Sequence, residues 1–265
     1  MDQARIAELL VPFLGPPDNQ KSSVRAPEPD TRGLVPRIST YIDILLRWNS
    51  KINLTAIRSP EEIVTRHFGE SLFAARHLFP KEPHVGTAEN EKLQHRGRAA
   101  LQRREKGLKD RALAPVAVPG QRPATATTPP SLADIGSGAG FPGVPIKLWA
   151  PDIALTLIES NHKKAAFLRE LARALILTDV NIQNVRAETL PPATFDVVTL
   201  RAVERFDAVL PVAASLVAPA GRLALLIGSS QLDAARVVQS FSWQEPITIP
   251  DSKARVLLIG NQKIN

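Results

Sequence analysis

The chain has 265 residues, carries a formal charge of +7 and is 44% hydrophobic, so it can bury a core and is not disordered throughout. It contains no cysteine, which excludes disulfide frameworks, thiolate nucleophiles and zinc ribbons, and its five histidines form no HxH or HxxxH pair typical of a metal site. No run approaches the ~20 apolar residues that span a bilayer, and the start of the chain is unlike a secretion signal, so we expect a soluble, cytoplasmic protein without a metal.

The amino-terminal part of the chain is predicted to be helical. A short helix is expected over residues 3–14, and from Leu34 the apolar positions recur every three or four residues, as in an amphipathic helix. A further helix is predicted to begin at Pro60, with Ser59 as its N-cap. We therefore predict that residues 1–80 form an N-terminal helical extension.

Residues 81–130 differ in composition from the rest of the chain. They hold ten Lys and Arg against five Asp and Glu, together with six of the 23 prolines. This composition predicts a basic, Pro-rich and mostly disordered insertion. Two interpretations stay open: an arm that attracts nucleic acid, or a solvated linker without a task.

From residue 131 onward, apolar strands alternate with helices. Strands are predicted over 131–135, 153–159, 180–185, 195–200 and 222–228, followed by two more in the C-terminal tail. Ser160 is the predicted N-cap of the helix after the second strand. Repeated β–α units predict an α/β, Rossmann-like domain over 131–265, with a mostly parallel doubly wound sheet and an antiparallel edge hairpin.

A glycine-rich turn follows the first predicted strand, and its glycines are Gly136, Gly138, Gly140 and Gly143. Without a Cβ, such a turn lets the backbone approach a ligand closely. Glu159 ends the next strand, 21 residues after Gly138, where an acid can accept hydrogen bonds from a ribose. The string GAGFPG matches the dinucleotide pattern, whereas DIGSGAG matches the loop of S-adenosylmethionine (SAM) enzymes.

Three features favour SAM over a dinucleotide. Asp134 precedes the first glycine by two residues, where it can orient the loop or contact the methionyl ammonium through water. Pro142 and Pro145 lack the N–H donors that a pyrophosphate would use. The pair Ala187–Glu188 follows the third strand, where an adenine amino group would lie, although Glu188 alone can equally be a solvated loop acid.

These motifs resemble the bacterial 16S ribosomal RNA guanine-N7 methyltransferase G family, also called glucose-inhibited division protein B. The matching stretches are RWNSKINLTAIRSPEEIVTRHFGESL (47–72), ADIGSGAGFPGVP (133–145), LIESNHKKAAFLRE (157–170) and FDVVTLRAV (195–203). The resemblance implies SAM as cofactor and 16S ribosomal RNA, or the small ribosomal subunit, as partner. It also implies SAM contacts at Gly136, Phe141, Ala187, Glu188 and Arg201, to which the residue pattern adds Gly138 and Glu159.

The chemistry of the implied reaction fits a chain without an evident acid–base dyad. Guanine N7 has a lone pair and no proton, so no general base is needed, and we name no catalytic residue. The chain departs from the family in the length of its insertion and at Ile227 and Gly260, where the family carries basic residues. The two departures at Ile227 and Gly260 remove cations that could bind RNA, unless the insertion supplies them instead.

Several alternatives remain open from the sequence. Arg201 can pair with the SAM carboxylate, donate to guanine O6, or form an ion pair with Glu204 or Asp207. His67 and its neighbour Arg66 match family motif positions, and helix packing is the favoured interpretation for them. The rival functions are a SAM methyltransferase for a small molecule or protein, a NAD-dependent oxidoreductase, and a non-catalytic RNA-binding protein.

Overall fold

A computed structural model describes residues 1–15, 33–81, 128–202 and 205–263. The described residues up to 81 and from 129 onward belong to one contact unit. The predicted insertion at 81–130 lies almost entirely outside the described residues, and so does Glu204. In the parts of the chain that are described, no helix is both long enough and apolar enough to cross a membrane.

The N-terminal extension is helical, as the apolar periodicity predicts. Its helices are α1 (Gln3–Leu14), α2 (Leu34–Asn49), α3 (Pro60–Glu62) and α4 (Glu70–Leu78), and a π-helical turn (Ile63–Gly69) joins α3 to α4. Asp2 caps α1 by accepting from the Ala4 N–H, and Ser59 caps α3 by accepting from the Glu62 N–H, which confirms the predicted helix start. Sequence periodicity does not predict the π-helical turn, which inserts an i→i+5 pattern between two α-helical segments.

The second part of the chain builds a mixed sheet. Its strands are β1 (Ser131–Ile135), β2 (Ala154–Ile158), β3 (Val180–Gln183), β4 (Phe195–Arg201), β5 (Val217–Gly228), β6 (Phe241–Trp243), β7 (Ile247–Thr248) and β8 (Arg255–Gln262). The order is β3-β2-β1-β4-β5-β8-β6, with β7 also pairing with β8. The first five strands are parallel, and β8 runs antiparallel to β5, β6 and β7. The predicted parallel sheet with an antiparallel edge is confirmed.

Helices cover both faces of this sheet and divide the core in two. The connecting helices are α5 (Gly143–Trp149), α6 (His162–Ala174), α7 (Phe206–Ser215) and α8 (Leu232–Arg236). One hydrophobic cluster joins alternate strand residues such as Leu132 and Leu155 to α5, α6 and the whole helical extension. The other joins the remaining strand residues, such as Ala133 and Val198, to α7 and α8. The extension therefore shares a core with the sheet.

The residues that flank the insertion are anchored on this core. Trp149 of α5 donates its Nε1–H to the Phe79 carbonyl at 2.9 Å, and Lys81 Nζ lies 4.1 Å from the Trp149 ring centroid. On the other side, the Pro130 carbonyl accepts from the Ala154 N–H at 2.9 Å. Both chain ends of the insertion thus attach to the same unit.

Three local predictions are wrong. The tail has three strands rather than two, because the first predicted strand is divided into β6 and β7. The N-cap of α6 is Asn161 rather than Ser160, because the Asn161 side chain accepts from the N–H groups of Lys163 and Lys164 at 2.9 and 3.2 Å. Strand β5 begins at Val217 rather than at 222, since it first pairs with Phe195 and then continues past a register shift. These errors concern the residues at which elements begin and end, which local sequence propensity predicts least well.

Candidate functional site

The glycine-rich turn joins β1 to α5 at the carboxyl edge of the parallel strands, where ligands of open α/β sheets bind. Gly136, Gly138 and Gly140 have φ angles of 66°, 53° and 89°. This left-handed region is costly for residues with a Cβ, which explains the alternate spacing of the glycines. The turn consequently presents backbone rather than side chains.

Glu159 fastens this turn to the end of β2. Its Oε2 accepts from the Gly138 N–H at 2.9 Å, and its Oε1 accepts from the Asn161 N–H at 2.8 Å. The residue is only 7% exposed. Because an ionised carboxylate has about four acceptor positions, each oxygen keeps one for a further donor such as a ribose hydroxyl. The structure therefore brings together Gly138 and Glu159, as their spacing predicts.

Asp134 lies beneath the turn and is fully buried. Its carboxylate accepts from Thr199 Oγ1 at 2.9 Å and from the Gly143 N–H at 3.2 Å. Burial raises its pKa to about 7, against the lowering effect of these hydrogen bonds. The sequence offers two roles for Asp134, orientation of the loop and a water-mediated contact with the methionyl ammonium. These hydrogen bonds support the first.

The ring of Phe141 packs beneath the helical extension. It stacks on Tyr41 at a centroid distance of 5.1 Å and on His67 at 4.7 Å, while Phe68 meets it edge-on at 5.1 Å. The Tyr41 hydroxyl also donates to the carbonyl of Ala139 in the glycine-rich turn. Phe141 is only 6% exposed, so its ring is part of the core between the turn and the helical extension.

Arg201, at the carboxyl end of β4, binds the π-helical turn and the residue after it. Its Nη2 donates to the Arg66 carbonyl at 2.7 Å and to Glu70 Oε2 at 3.0 Å, and its Nη1 donates to His67 Nδ1 at 3.1 Å. The ion-pair partner is thus Glu70, not the predicted Asp207, which is exposed; Glu204 lies outside the described residues. A guanidinium has five N–H donors, so two remain for a ligand.

Glu70 is a buried charged neighbour of Arg201 that sequence reasoning missed. Its side chain is 2% exposed and lies between two guanidinium groups, with Arg255 Nη2 2.8 Å from its Oε1. A buried carboxylate is tolerated only with such partners. The available signal was a single acid among the apolar positions of the α4 helix, but its partners are 131 and 185 residues away in sequence.

His67 is neutral in this network. Its Nδ1 accepts from Arg201, so the ring proton is on Nε2 and is donated to Thr55 Oγ1 at 2.8 Å. Burial, reinforced by the charge of Arg201, lowers the pKa of His67 to about 3. The sequence favours a helix-packing role for His67. The structure adds a hydrogen bond from Arg201, at the end of β4, which that interpretation does not include.

The remaining candidates are Ala187 and Glu188 after β3, Ile227 near the carboxyl end of β5, and Gly260, which pairs with Leu223 near the opposite end of β5. Ala187, which is buried, and Glu188, which is exposed, form a 3-10 turn after β3. Ile227 is buried in the core, and a Cβ at Gly260 would lie 2.8 Å from ring carbons of Trp243. The basic side chains expected at these two positions are thus replaced by residues that fit the packing.

An open cleft of about 590 Å³ lies beyond the carboxyl ends of β4 and β5. Its lining residues come from the start of α7 and from the turn after β5: Arg205, Phe206, Asp207, Ala208, Ser230, Gln231 and Ala234. The residues that line this cleft include none of the cofactor residues predicted from the sequence. Among the described residues, no group of three His, Asp or Glu is placed to hold a metal ion.

The strand order, the glycine-rich turn after β1 and the carboxylate at the end of β2 define a Rossmann-like protein of the SAM-dependent methyltransferase fold class. A family model described as rRNA small subunit methyltransferase G, GidB, matches residues 35–87 and 114–248, more than half of the chain. The chain therefore belongs to the rRNA small subunit methyltransferase G family, which confirms the resemblance.

Curated relatives agree with this assignment. Ribosomal RNA small subunit methyltransferase G of Xylella fastidiosa (strain 9a5c) is 33% identical over 190 residues, covering 71% of this chain and 66% of the relative. The protein of the same name from Xanthomonas campestris pv. campestris (strain B100) is 32% identical over 189 residues, with the same coverage of 71% and 66%. The matched region thus spans slightly less than two thirds of these relatives. A solved structure of P. horikoshii TYW2 in complex with MeSAdo aligns with a TM-score of 0.45 and 15% identity, over 53% of this chain and 60% of that chain.

Proposed function

We propose that this protein is a SAM-dependent methyltransferase that methylates N7 of a guanine in 16S ribosomal RNA. The observation that carries the proposal is family membership combined with the Gly138–Glu159 contact, which sets a ribose-type acceptor beside the half-buried Gly138 of the turn. The relatives' name supplies the substrate class, small-subunit ribosomal RNA.

The described residues fit SAM better than a dinucleotide. Helix α5 has Pro142 as its N-cap and Pro145 in its first turn, so it offers fewer N–H donors to a pyrophosphate. SAM has no phosphate and loses little at this helix end. In the proposed site, the backbone at Gly136, Gly138 and Phe141 would line the cofactor.

Three further groups would bind polar parts of the cofactor. Glu159 would accept from the ribose hydroxyls through its remaining lone pairs, and the Ala187–Glu188 turn would face the adenine. Arg201 would use one of its remaining N–H donors on the cofactor carboxylate. Bound SAM supplies an electrophilic methyl group on a sulfonium.

The transfer needs alignment rather than acid–base chemistry. The N7 lone pair forms the new N–C bond while the electrons of the S–C bond stay on sulfur, and no proton has to move. The task of the protein is therefore to hold the base in line and exclude competing nucleophiles. The cleft between α7 and the turn after β5 is the proposed entry for the flipped-out or single-stranded guanine.

The RNA backbone would be bound by cations around the carboxyl edge of the sheet. Exposed basic residues there are Arg66, Lys163, Arg186 and Arg205. Such contacts position an RNA without reading its sequence, and they make binding dependent on salt. Residues 81–130, which carry a net charge of +5, would add to this attraction. A ribosomal substrate would place the protein in the cytoplasm.

The decisive experiment is methyl transfer from labelled SAM to 16S RNA, offered both as free RNA and as assembled small subunits, with mass mapping of the product. A single N7-methylguanine is expected. Label on protein or small molecules alone would favour the rival methyltransferase. Titration calorimetry with SAM, S-adenosylhomocysteine and NAD separates the remaining rivals, because only the oxidoreductase binds NAD and a non-catalytic RNA-binding protein transfers no methyl group.

A further inference from the structure

The glycine-rich turn is held from two sides. On one side, Glu159 at the end of β2 accepts from the Gly138 N–H. On the other side, the Tyr41 hydroxyl of α2 donates to the Ala139 carbonyl. Tyr41 is fully buried, so this hydrogen bond is shielded from water. Tyr41 is 98 positions away in the chain from Ala139, so the extension holds a loop that is distant in sequence.

Gly140 shows how closely α2 and the turn are fitted. Its φ is 89°, and a Cβ at this position would collide with Tyr41 Oη and lie 3.1 Å from Val144 Cγ2. The space that a side chain would need is thus already taken by the tyrosine hydroxyl. The approach of Tyr41 to this backbone is close enough to exclude every residue except glycine.

His67 extends the same support to the end of β4. One face of its ring stacks on Phe141 with an interplanar angle of 17°, and its Nδ1 accepts from Arg201. The π-helical turn places the Arg66 carbonyl and His67 around the same guanidinium. Interruptions of this kind in α-helices are frequent at functional sites.

We propose that Tyr41 and His67 are positioning residues of the cofactor site. They hold the turn through Ala139 and Phe141, and they hold Arg201 at the end of β4, so cofactor affinity depends on the helical extension. The inference rests on the proposed function only in taking SAM as the ligand. It assigns the extension a role in cofactor binding in addition to any contact with RNA.

The first test is Tyr41→Phe, which keeps the ring stacked on Phe141 and removes only the hydroxyl. We expect SAM to bind about three- to tenfold more weakly by calorimetry, the equivalent of one neutral hydrogen bond. The matched control is Arg37→Met. This substitution removes a different hydrogen bond of α2, from Arg37 Nη2 to the Leu175 carbonyl at 2.7 Å. It should lower the melting temperature without changing SAM affinity.

A second pair of variants keeps the test decisive if Tyr41→Phe does not fold. His67→Ala removes both the ring and the acceptor, whereas His67→Asn keeps an acceptor at the position of Nδ1. SAM affinity should fall in His67→Ala and recover in part in His67→Asn, a rescue that a purely structural role does not predict.

The outcomes separate this inference from the proposed function. Wild-type protein that binds no SAM refutes the proposed function. The positioning role is overturned if the wild-type protein binds SAM and the SAM affinity of every variant that folds changes by less than about twofold, whatever its melting temperature. That result leaves the proposed function intact.

Discussion

Replacing Glu70 by glutamine tests the buried charge network most directly. The carboxylate is 2% exposed and lies between Arg201, 11% exposed, and Arg255, 28% exposed. Glu70→Gln leaves both guanidinium groups without their counter-charge, and breaking a buried ion pair from one side costs about 3–5 kcal/mol. Because Arg255 keeps some solvent, we expect the lower value, about 3 kcal/mol. At about 2–4 °C for each kcal/mol, the melting temperature should fall by about 6–12 °C.

Urea unfolding followed by circular dichroism measures this loss, with Glu170→Gln as control. That substitution breaks the exposed pair between Arg47 and Glu170, whose side chains are 59% and 36% exposed, and it should cost less than about 1 kcal/mol. The free energy of unfolding lost in the double variant Glu70→Gln with Arg201→Gln should be smaller than the sum of the losses in the two single variants. A loss below about 1 kcal/mol in Glu70→Gln, or strict additivity in the cycle, would refute the reasoning.

Three further outcomes are expected. Gly138→Val should abolish SAM binding in calorimetry while the protein stays folded, since a φ of 53° is unfavourable for a β-branched residue and the new side chain would enter the open space beside the turn that a ligand needs; near-normal affinity would move the cofactor elsewhere. Arg201→Ala should weaken SAM binding by about 1.5–3 kcal/mol in the folded protein as well as lower the melting temperature, and unchanged affinity would make Arg201 purely structural. The free energy of unfolding should contain an Asp134 contribution that increases as pH falls, because the folded pKa of about 7 exceeds the unfolded value of 3.8 and protons bind the folded state first. Between pH 7 and 5.5 this contribution should grow by about 1.5 kcal/mol, and it should be missing from Asp134→Asn. The comparison with this variant is needed because His67, with its pKa of about 3, makes the folded protein less stable as the pH falls over the same range.

Local patterns in the sequence predict the sheet and the turn well. Apolar runs such as 131–135 and 195–200 become β1 and β4 because strands buried on both faces must be apolar along their length. The glycines of the turn are predictable because a left-handed backbone favours that residue type. The contact between Gly138 and Glu159 follows, since both lie where adjacent parallel strands end.

The contacts between the extension and the site are not predictable in the same way. Periodicity shows that Tyr41 lies on a buried face of α2, but it does not show which backbone carbonyl its hydroxyl meets. The pairing of Glu70 with Arg201 depends on how one helix packs across a sheet edge, and the π-helical turn that allows it has no periodic signature. The sequence consequently offers Glu204 or Asp207 as alternative ion-pair partners of Arg201 and does not point to Glu70.

The anchoring of Phe79 and Lys81 on Trp149, and of Pro130 on Ala154, explains how the chain accommodates so long a connection between them. Both anchors lie on one contact unit, so contacts of α4, α5 and β2 fix the points at which the chain leaves and re-enters this unit. Each end of the connection is therefore held on the core independently of the other.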